Sequence, residues 1–186
     1  PEFDGAGEVR QAAGSTVTGI VPTNTYRCAD GKYVIIGGNG DSIFKRLMTT
    51  AGRVDLAEDP RLAKNPGRVE NEAEIDGAIE AWCATLPSPE VLEKLEANRV
   101  PCGPIYSAAD MMADPHFQAR GLFQQVEING APLKIPAIMP RLGGTPGATR
   151  WPGGDAGGDT ESVARGELGL SEEEFQRLKA QGVFGA

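Results

Sequence analysis

Hydrophobic and polar positions change their spacing along the chain, from short β-like runs near the start to helical spacing beyond residue 41. Two β-prone runs cover residues 23–28 and 32–36. They are separated by Asp30-Gly31, a pair that is typical of hairpin turns. We therefore predict a β-hairpin whose second strand leads directly into a glycine-rich segment.

That glycine-rich segment covers residues 37–41 and joins the strand to a helix with apolar residues at 43, 44, 47 and 48. Glycines at 37, 38 and 40 allow positive φ angles and a close approach of the backbone to a ligand. The start of the helix offers unpaired N–H groups to an anion or a carbonyl. The segment is therefore our candidate binding site. The alternative is an ordinary strand-to-helix turn in which Asp41 or Ser42 is the N-cap.

Further helices are predicted by apolar spacing and by capping residues. An apolar stripe predicts a helix of about 16 residues. The stripe consists of Ile75, Ile79, Trp82, Cys83 and Leu86. Ser88 followed by Pro89 supplies an N-cap and a first-turn proline for the next helix. The spacing of Ser107 and Asp110 is that of a capping box, and it opens a short helix that buries one of the two following methionines, Met111 or Met112.

The last third of the chain contains a second hairpin, a tail and a terminal helix. Asn129-Gly130 lies between the β-prone residues 126–128 and 133–135, and this pair favours a type I′ turn. Residues 130–158 hold too much glycine and proline for a helix or a long strand. The final helix begins at Ser171 with a capping-box pattern and ends near Gly182.

These elements predict the α+β class: a small domain with β-hairpins and several helices, followed by a hairpin and an extended Gly/Pro-rich tail that ends in a short helix. We expect residues 1–20 to be a linker or arm, residues 21–121 to be the small domain, and residues 122–186 to be the hairpin, tail and terminal helix. The tail has little apolar surface to bury by itself. We therefore expect it to pack on another chain or on a missing half of this one. The absence of an initial Met suggests a processed or truncated product.

Composition excludes several classes of function. The formal net charge of the 186 residues is −8 and lysines and arginines are not clustered, which argues against nucleic-acid binding. No apolar run has the length of a membrane span. Three scattered cysteines without a C-x-x-C pattern predict reduced thiols in a cytoplasmic protein. His116 is the only histidine, so we expect no metal site.

Several short motifs follow one another along the chain. They are VPTNTY at 21–26, ADGK at 29–32, the strand and glycine turn, DPRL at 59–62, NPGRV at 65–69, RVPCGPI at 99–105, DPHFQARG at 114–121, and Asp159-Thr160 ahead of the last helix and Gly182-Val183. In this order they resemble the second half of the class III (CaiB/BaiF-type) CoA-transferases. The resemblance covers nearly all of the chain from about residue 20.

This resemblance implies an enzyme that moves CoA from an acyl-CoA thioester to a small carboxylic acid, without a metal. In that family an aspartate attacks the thioester, giving an aspartyl-acyl anhydride and then an aspartyl-CoA thioester. The aspartate and most CoA-contacting residues lie in the first half, so we assign no catalytic residue to this chain. The resemblance further implies a missing N-terminal large domain and an interlocked homodimer of the intact protein.

The glycine loop has a counterpart in the formyl-CoA-transferase-like members, where it closes over the aspartyl intermediate and lines the acceptor carboxylate. By this resemblance the substrate-binding residues here are Gly37, Gly38, Asn39, Gly40 and Asp41. The family loop is often an unbroken glycine run, whereas this one carries Asn39. Its side chain offers an additional hydrogen bond to the substrate.

Two other functions stay open. One is an acyl-CoA racemase of the same family, which would need a proton-shuttling base outside this chain. The other is a non-catalytic interaction module in which the glycine turn is only a turn. Asp114-Pro115-His116 could supply an acid and a base, but we interpret it as a helix-ending turn with His116 on the surface. Cys102 has no basic neighbour to lower its pKa, so we predict an unreactive thiol. The sequence does not identify the acid.

Overall fold

The structure, a computed structural model, describes residues 2–184 and confirms the α+β class. The chain divides into two compact units, with the boundary between Tyr106 and Ser107. The first unit contains a three-stranded antiparallel sheet and most of the helices, and the second contains a two-stranded hairpin with shorter helices. Each unit is described by itself below.

Within residues 2–106, the first unit is built from ten elements. They are α1 (Glu2–Ala6), β1 (Thr23–Arg27), β2 (Tyr33–Gly37), α2 (Asp41–Thr50), α3 (Val54–Ala57), a 3-10 turn (Pro60–Leu62), α4 (Asn65–Glu70), α5 (Glu72–Cys83), α6 (Ser88–Ala97) and β3 (Cys102–Pro104). Residues 7–20 form neither helix nor strand and are almost entirely exposed.

The first predicted hairpin is confirmed. β1 and β2 pair antiparallel, with Thr23 opposite Gly37 and Arg27 opposite Tyr33, and Gly31 takes a left-handed φ of 79° in the turn between them. β3 pairs antiparallel with the other edge of β2, so the sheet order is β1-β2-β3. β2 is therefore the central strand, and the glycine loop begins where it ends.

The core lies on one face of this sheet, beneath α2, α5 and α6. Val34 and Ile36 alternate with exposed residues on β2, as expected for a strand with one buried face. The buried side chains of the three helices are Phe44, Leu47, Met48, Ile75, Ala78, Ile79, Cys83, Val91 and Leu95. The predicted apolar stripe is thus confirmed at Ile75, Ile79 and Cys83. Trp82 and Leu86 are only half-buried.

Two details of the predicted helices are wrong. α5 has 12 residues rather than about 16, because it ends before Leu86, whose successor Pro87 disfavours helical geometry at the preceding residue. Ser88 does not cap α6, since Pro87 occupies the N-cap position. Instead, the Ser88 hydroxyl and N–H donate to the Asp30 carboxylate at 2.7 and 3.0 Å. This contact ties the β1–β2 turn to the start of α6 and lowers the pKa of Asp30.

Between residues 107 and 184, the second unit has six elements. They are α7 (Ala108–Ala113), α8 (Pro115–Ala119), β4 (Phe123–Ile128), β5 (Ala131–Pro136), a π-helical turn (Ser162–Glu167) and α9 (Glu172–Ala180). The Asn129-Gly130 hairpin is confirmed, because β4 and β5 pair antiparallel and both turn residues have positive φ, 52° and 74°. Two positive φ angles are the signature of a type I′ turn.

The α7 capping box is confirmed, but its buried methionine is not. The Ser107 side chain accepts the Asp110 N–H, and the Asp110 carboxylate accepts the Ser107 N–H. Met111 and Met112 are nevertheless 36% and 38% exposed. α7 has only six residues, and none of them is buried.

The tail from residue 137 to 158 contains no helix or strand and is mostly exposed. Met139 and Trp151 are 59% and 66% exposed there. α9 begins after Ser171, whose hydroxyl accepts the Glu174 N–H, and Gly182 beyond it has a left-handed φ of 72°, as predicted. Across residues 2–184, the structure contains no helix with the length and apolarity that crossing a bilayer requires.

Candidate functional site

The candidate site is the glycine loop, residues 37–41, between the central strand β2 and helix α2. Its first residues are fixed by the backbone. Gly37 donates its N–H to the Pro101 carbonyl and Gly38 donates to the Pro22 carbonyl, both at 2.9 Å. The loop therefore leaves the sheet in a defined direction, between the residue that precedes β1 and the residue that precedes β3.

The glycines of the loop do not take the positive φ angles that the sequence suggested. None of Gly37, Gly38 and Gly40 lies in the left-handed φ region, so the expectation of positive φ angles is wrong. Gly38 is instead required by packing: a Cβ at this residue would lie 2.4 Å from Leu47 Cδ2 and 3.0 Å from Pro22 Cγ. The absence of a side chain at Gly38 thus lets the loop backbone pack closely against Leu47 and Pro22 of the protein's own core.

Gly40 forms the N-cap of α2, with φ −73° and ψ 139°. The alternative in which Asp41 or Ser42 caps this helix is therefore wrong. Among the described residues, no acceptor is found for the N–H groups of Asn39 and Gly40. These groups lie where the helix dipole is positive, so the loop presents hydrogen-bond donors that an anion or a carbonyl can use.

Asn39 is held by both its side chain and its backbone. Its Nδ2 donates to Thr23 Oγ1 at 3.1 Å, and its carbonyl accepts from Arg68 Nη2 at 2.7 Å. The Asn39 side chain therefore has a partner on β1 in this structure. Asn39 as a whole is nevertheless an exposed residue.

Asp41 carries the only carboxylate of the loop and is paired with two cations. Lys64 Nζ lies 2.7 Å from one carboxylate oxygen, and Arg68 Nη2 lies 3.1 Å from the other. These hydrogen bonds, first from Lys64 and then from Arg68, lower the pKa of Asp41. The carboxylate is ionised at neutral pH, and its charge is compensated at the point where the loop enters α2.

Arg68, like Lys64, is a residue of this site that the sequence did not identify. It is completely buried on α4, although buried arginines are rare. Its Nε donates to the Val21 carbonyl at 3.0 Å, and its Nη1 donates to the Leu62 carbonyl at 3.1 Å. The guanidinium also lies over the Phe44 ring, 5.1 Å from its centroid. In the sequence, only its place in the NPGRV motif could have drawn attention to Arg68. The spacing of apolar residues does not indicate that a charged residue is buried.

The other candidates have structural surroundings. His116 is exposed on α8, and the Asp114 carboxylate accepts the Phe117 N–H as the cap of that helix. Cys102 is half-buried, and burial followed by the charge of Glu96 raises its pKa, which opposes reactivity. Within residues 2–184, no three His, Cys, Asp or Glu side chains are grouped to hold a metal ion.

The sequence and the fold both match known proteins. A family model described as CoA-transferase family III matches residues 2–160. A succinyl-CoA–D-citramalate CoA-transferase from Chloroflexus aurantiacus is 35% identical over 185 residues, which are 99% of this chain and 46% of that relative. A formyl-CoA:oxalate CoA-transferase from Streptomyces avermitilis is 34% identical over 198 residues, covering 97% of this chain and 45% of the relative.

Among solved structures, a CaiB/BaiF family protein from Brucella suis superposes with a TM-score of 0.60 at 34% identity, over 70% of this chain and 34% of that one. The chain thus spans less than half of the length of these relatives. The match with the family model extends over far more than half of the described residues. The chain belongs to CoA-transferase family III.

Proposed function

We propose that this chain is the C-terminal part of a CoA-transferase that moves CoA from an acyl-CoA to a small carboxylic acid. The observation that carries the proposal is the alignment of 99% of the chain with a CoA-transferase at 35% identity, over only 46% of that relative's length. The names of the two enzymes reported above specify succinyl-CoA or formyl-CoA as one substrate and citramalate or oxalate as the acid. A small acid of this kind is the acceptor that we propose for the complete protein.

The chemistry would be covalent catalysis by an aspartate that lies outside this chain. Its carboxylate attacks the thioester carbonyl and displaces the CoA thiolate. The aspartate and the acyl group are then joined in a mixed anhydride. The thiolate then attacks the aspartyl carbonyl, releasing the first acid and leaving an aspartyl-CoA thioester. The acceptor carboxylate repeats the two steps in reverse and departs as the new thioester. Each step exchanges one acyl bond for another, so that no metal or redox partner is required.

In this scheme the glycine loop, residues 37–41, contacts the acyl or carboxylate group of the intermediate. Two features support this role. The N–H groups of Asn39 and Gly40 have no acceptor among the described residues and lie at the start of α2, where an anion is favoured. The charge of Asp41 is compensated by Lys64 and Arg68, which reduces its repulsion of a substrate carboxylate.

The partners that we propose are a large domain outside this chain and a second copy of the intact protein, interlocked with the first. The exposed apolar side chains of the tail support a partner surface, since Met139, Leu142 and Trp151 are all more than half exposed. Light scattering on the complete protein should give the mass of a dimer. A monodisperse monomer with full activity would contradict the interlocked arrangement.

The experiment that tests the function measures CoA transfer by the complete protein, beginning with succinyl-CoA and D-citramalate. We expect a new acyl-CoA whose formation depends on the added acid. Acid-independent exchange of the acyl-CoA α-proton in D2O, without transfer, would instead identify a racemase. No conversion of any acyl-CoA and no binding of one would identify an interaction module.

The loop assignment is tested by Gly40→Ala, with Gly77→Ala as a matched control. The atoms nearest to a Cβ at Gly40 belong to the Ile43 side chain, with Cδ1 at 3.2 Å, whereas a Cβ at Gly77 meets nothing within 4 Å. We expect Gly40→Ala to lower kcat/KM for the acid about tenfold, equivalent to about 1.4 kcal/mol of transition-state stabilisation. Gly77→Ala should leave kcat/KM unchanged. Equal values for both variants would contradict the assignment.

A further inference from the structure

Arg68 connects the glycine loop to the core through one buried guanidinium. Two of its nitrogens bind fixed backbone carbonyls, Nε that of Val21 and Nη1 that of Leu62. The third, Nη2, donates to the Asn39 carbonyl at 2.7 Å and to Asp41 Oδ1 at 3.1 Å. The guanidinium thus holds the residues on both sides of Gly40.

This arrangement fixes the orientation of one peptide plane. The cis peptide bonds of the described chain precede Pro22 and Pro140, so the Asn39–Gly40 peptide is trans. In a trans peptide the C=O and the N–H point in opposite directions. Because the Asn39 carbonyl points at the fully buried Arg68, the Gly40 N–H points away from Arg68, and it has no backbone acceptor among the described residues.

We propose that Arg68 is a positioning residue for the substrate loop: it sets the Asn39–Gly40 peptide so that the Gly40 N–H faces the acid. This inference rests on the proposed function of the loop. Arg68 itself is fully buried and contacts no substrate in this arrangement. Arginine suits the task because its planar fork carries five donors in fixed directions and stays charged when buried.

Lysine cannot replace these contacts. Its ammonium is a single point with three donors, so it reaches the Asn39 carbonyl and Asp41 only by giving up the carbonyls of Val21 and Leu62. The loop would then remain charge-compensated but would lose its rigid connection to the core. Methionine in place of Arg68 would remove both the charge and every hydrogen bond.

The test compares Arg68→Lys, Arg68→Met and the control Ile79→Ala in the complete protein. Ile79 is fully buried on α5, and its truncation lowers stability without changing a polar contact of the loop. The decisive quantity is KM for the acid, measured with succinyl-CoA as donor. A smaller folded fraction lowers the apparent kcat but leaves KM unchanged, so that a merely structural role would not move KM.

We expect KM for the acid to rise at least fivefold in Arg68→Lys and further in Arg68→Met, and to stay within twofold in Ile79→Ala. If Arg68→Met fails to fold, Arg68→Lys decides, because it keeps a cation next to Asp41 while giving up the carbonyls of Val21 and Leu62.

An active wild-type enzyme whose KM is unchanged in every folded variant would overturn the positioning role alone. An equal rise of KM in the Ile79→Ala control would overturn it as well, because the effect would then not be specific to the loop. A wild-type protein without acid-dependent CoA transfer would overturn the proposed function itself. The two failures are therefore distinguishable.

Discussion

Replacing Gly38 by Ala should destabilise the first unit, whereas the same change at the neighbouring Gly37 should not. A Cβ at Gly38 would lie 2.4 Å from Leu47 Cδ2 and 3.0 Å from Pro22 Cγ. Both of these neighbours are fully buried, so neither side chain can turn away into solvent. A Cβ at Gly37 would lie 3.9 Å from Pro101 Cβ, an ordinary contact.

The magnitude follows from two opposing effects. Forcing an additional methyl group into a packed core costs about 1–3 kcal/mol. Replacing glycine at a φ that alanine accepts stabilises by about 0.4–1 kcal/mol, because the unfolded chain loses freedom. For Gly38→Ala the first effect is larger, and we expect a net loss of about 1–2 kcal/mol in the free energy of unfolding. For Gly37→Ala only the second effect applies, and the free energy should rise by about 0.5 kcal/mol.

Urea unfolding followed by tryptophan fluorescence measures this difference. The chain has two tryptophans: Trp82 packs against the core of the first unit, and Trp151 is exposed in the second. Both variants are made in a Trp151→Phe background, so that the fluorescence reports the first unit alone. With an m-value of about 1–2 kcal/mol/M, Gly38→Ala should lower the midpoint by about 1 M.

An unchanged midpoint for Gly38→Ala would refute the packing explanation, and so would an equal loss in Gly37→Ala. In the second case the glycines would be required for their backbone freedom, as the sequence first suggested. A change in the m-value, without a change in the midpoint, would indicate that the mutation alters the compactness of the unfolded or the native state.

Three further predictions concern other parts of the chain. The pKa of Asp30 is lowered mainly by Ser88. The stability that the ionised Asp30 contributes should therefore be present above about pH 4 and be lost as the pH falls through the lowered pKa. In Ser88→Ala, the urea midpoint should fall less on acidification than it does in the wild type. Burial raises the pKa of Cys83 to about 12 and also raises that of Cys28. A thiol-specific disulfide reagent at pH 8 should therefore modify these two cysteines only when the protein unfolds. Fast modification of either thiol in native buffer would contradict this prediction. Gly130→Ala, at a φ of 74°, should cost the second hairpin about 1 kcal/mol, measured as faster amide hydrogen exchange of β4 and β5.

Local patterns predicted the elements that depend on local physics. Both hairpins were visible because Asp30-Gly31 and Asn129-Gly130 satisfy turn geometries that few other residue pairs satisfy. The core face of α2 was visible in the helical spacing of Phe44, Leu47 and Met48. In each case the sequence neighbours alone carry the signal.

The errors occur where a residue's partner is distant in sequence. Ser88 resembles an N-cap, but its hydroxyl donates to Asp30, which lies in the β1–β2 turn. Met111 and Met112 resemble core residues, but no residue of α7 is buried. Gly38 resembles a flexible loop residue, but Leu47 of the next helix fills the space beside it. None of these contacts changes the local pattern.

Arg68 and Gly38 together limit how the glycine loop can move. Gly38 is fixed by its hydrogen bond to Pro22 and by close packing against Leu47, while Asn39 and Asp41 are fixed by the buried guanidinium of Arg68. A lid that closes over a substrate would therefore have to break the contacts of Arg68 or move together with α2. Breaking them would leave a buried cation with fewer partners, which is costly. The loop is consequently ordered before a ligand arrives, and the donors that it presents, the N–H groups of Asn39 and Gly40, need no closing movement to be in place.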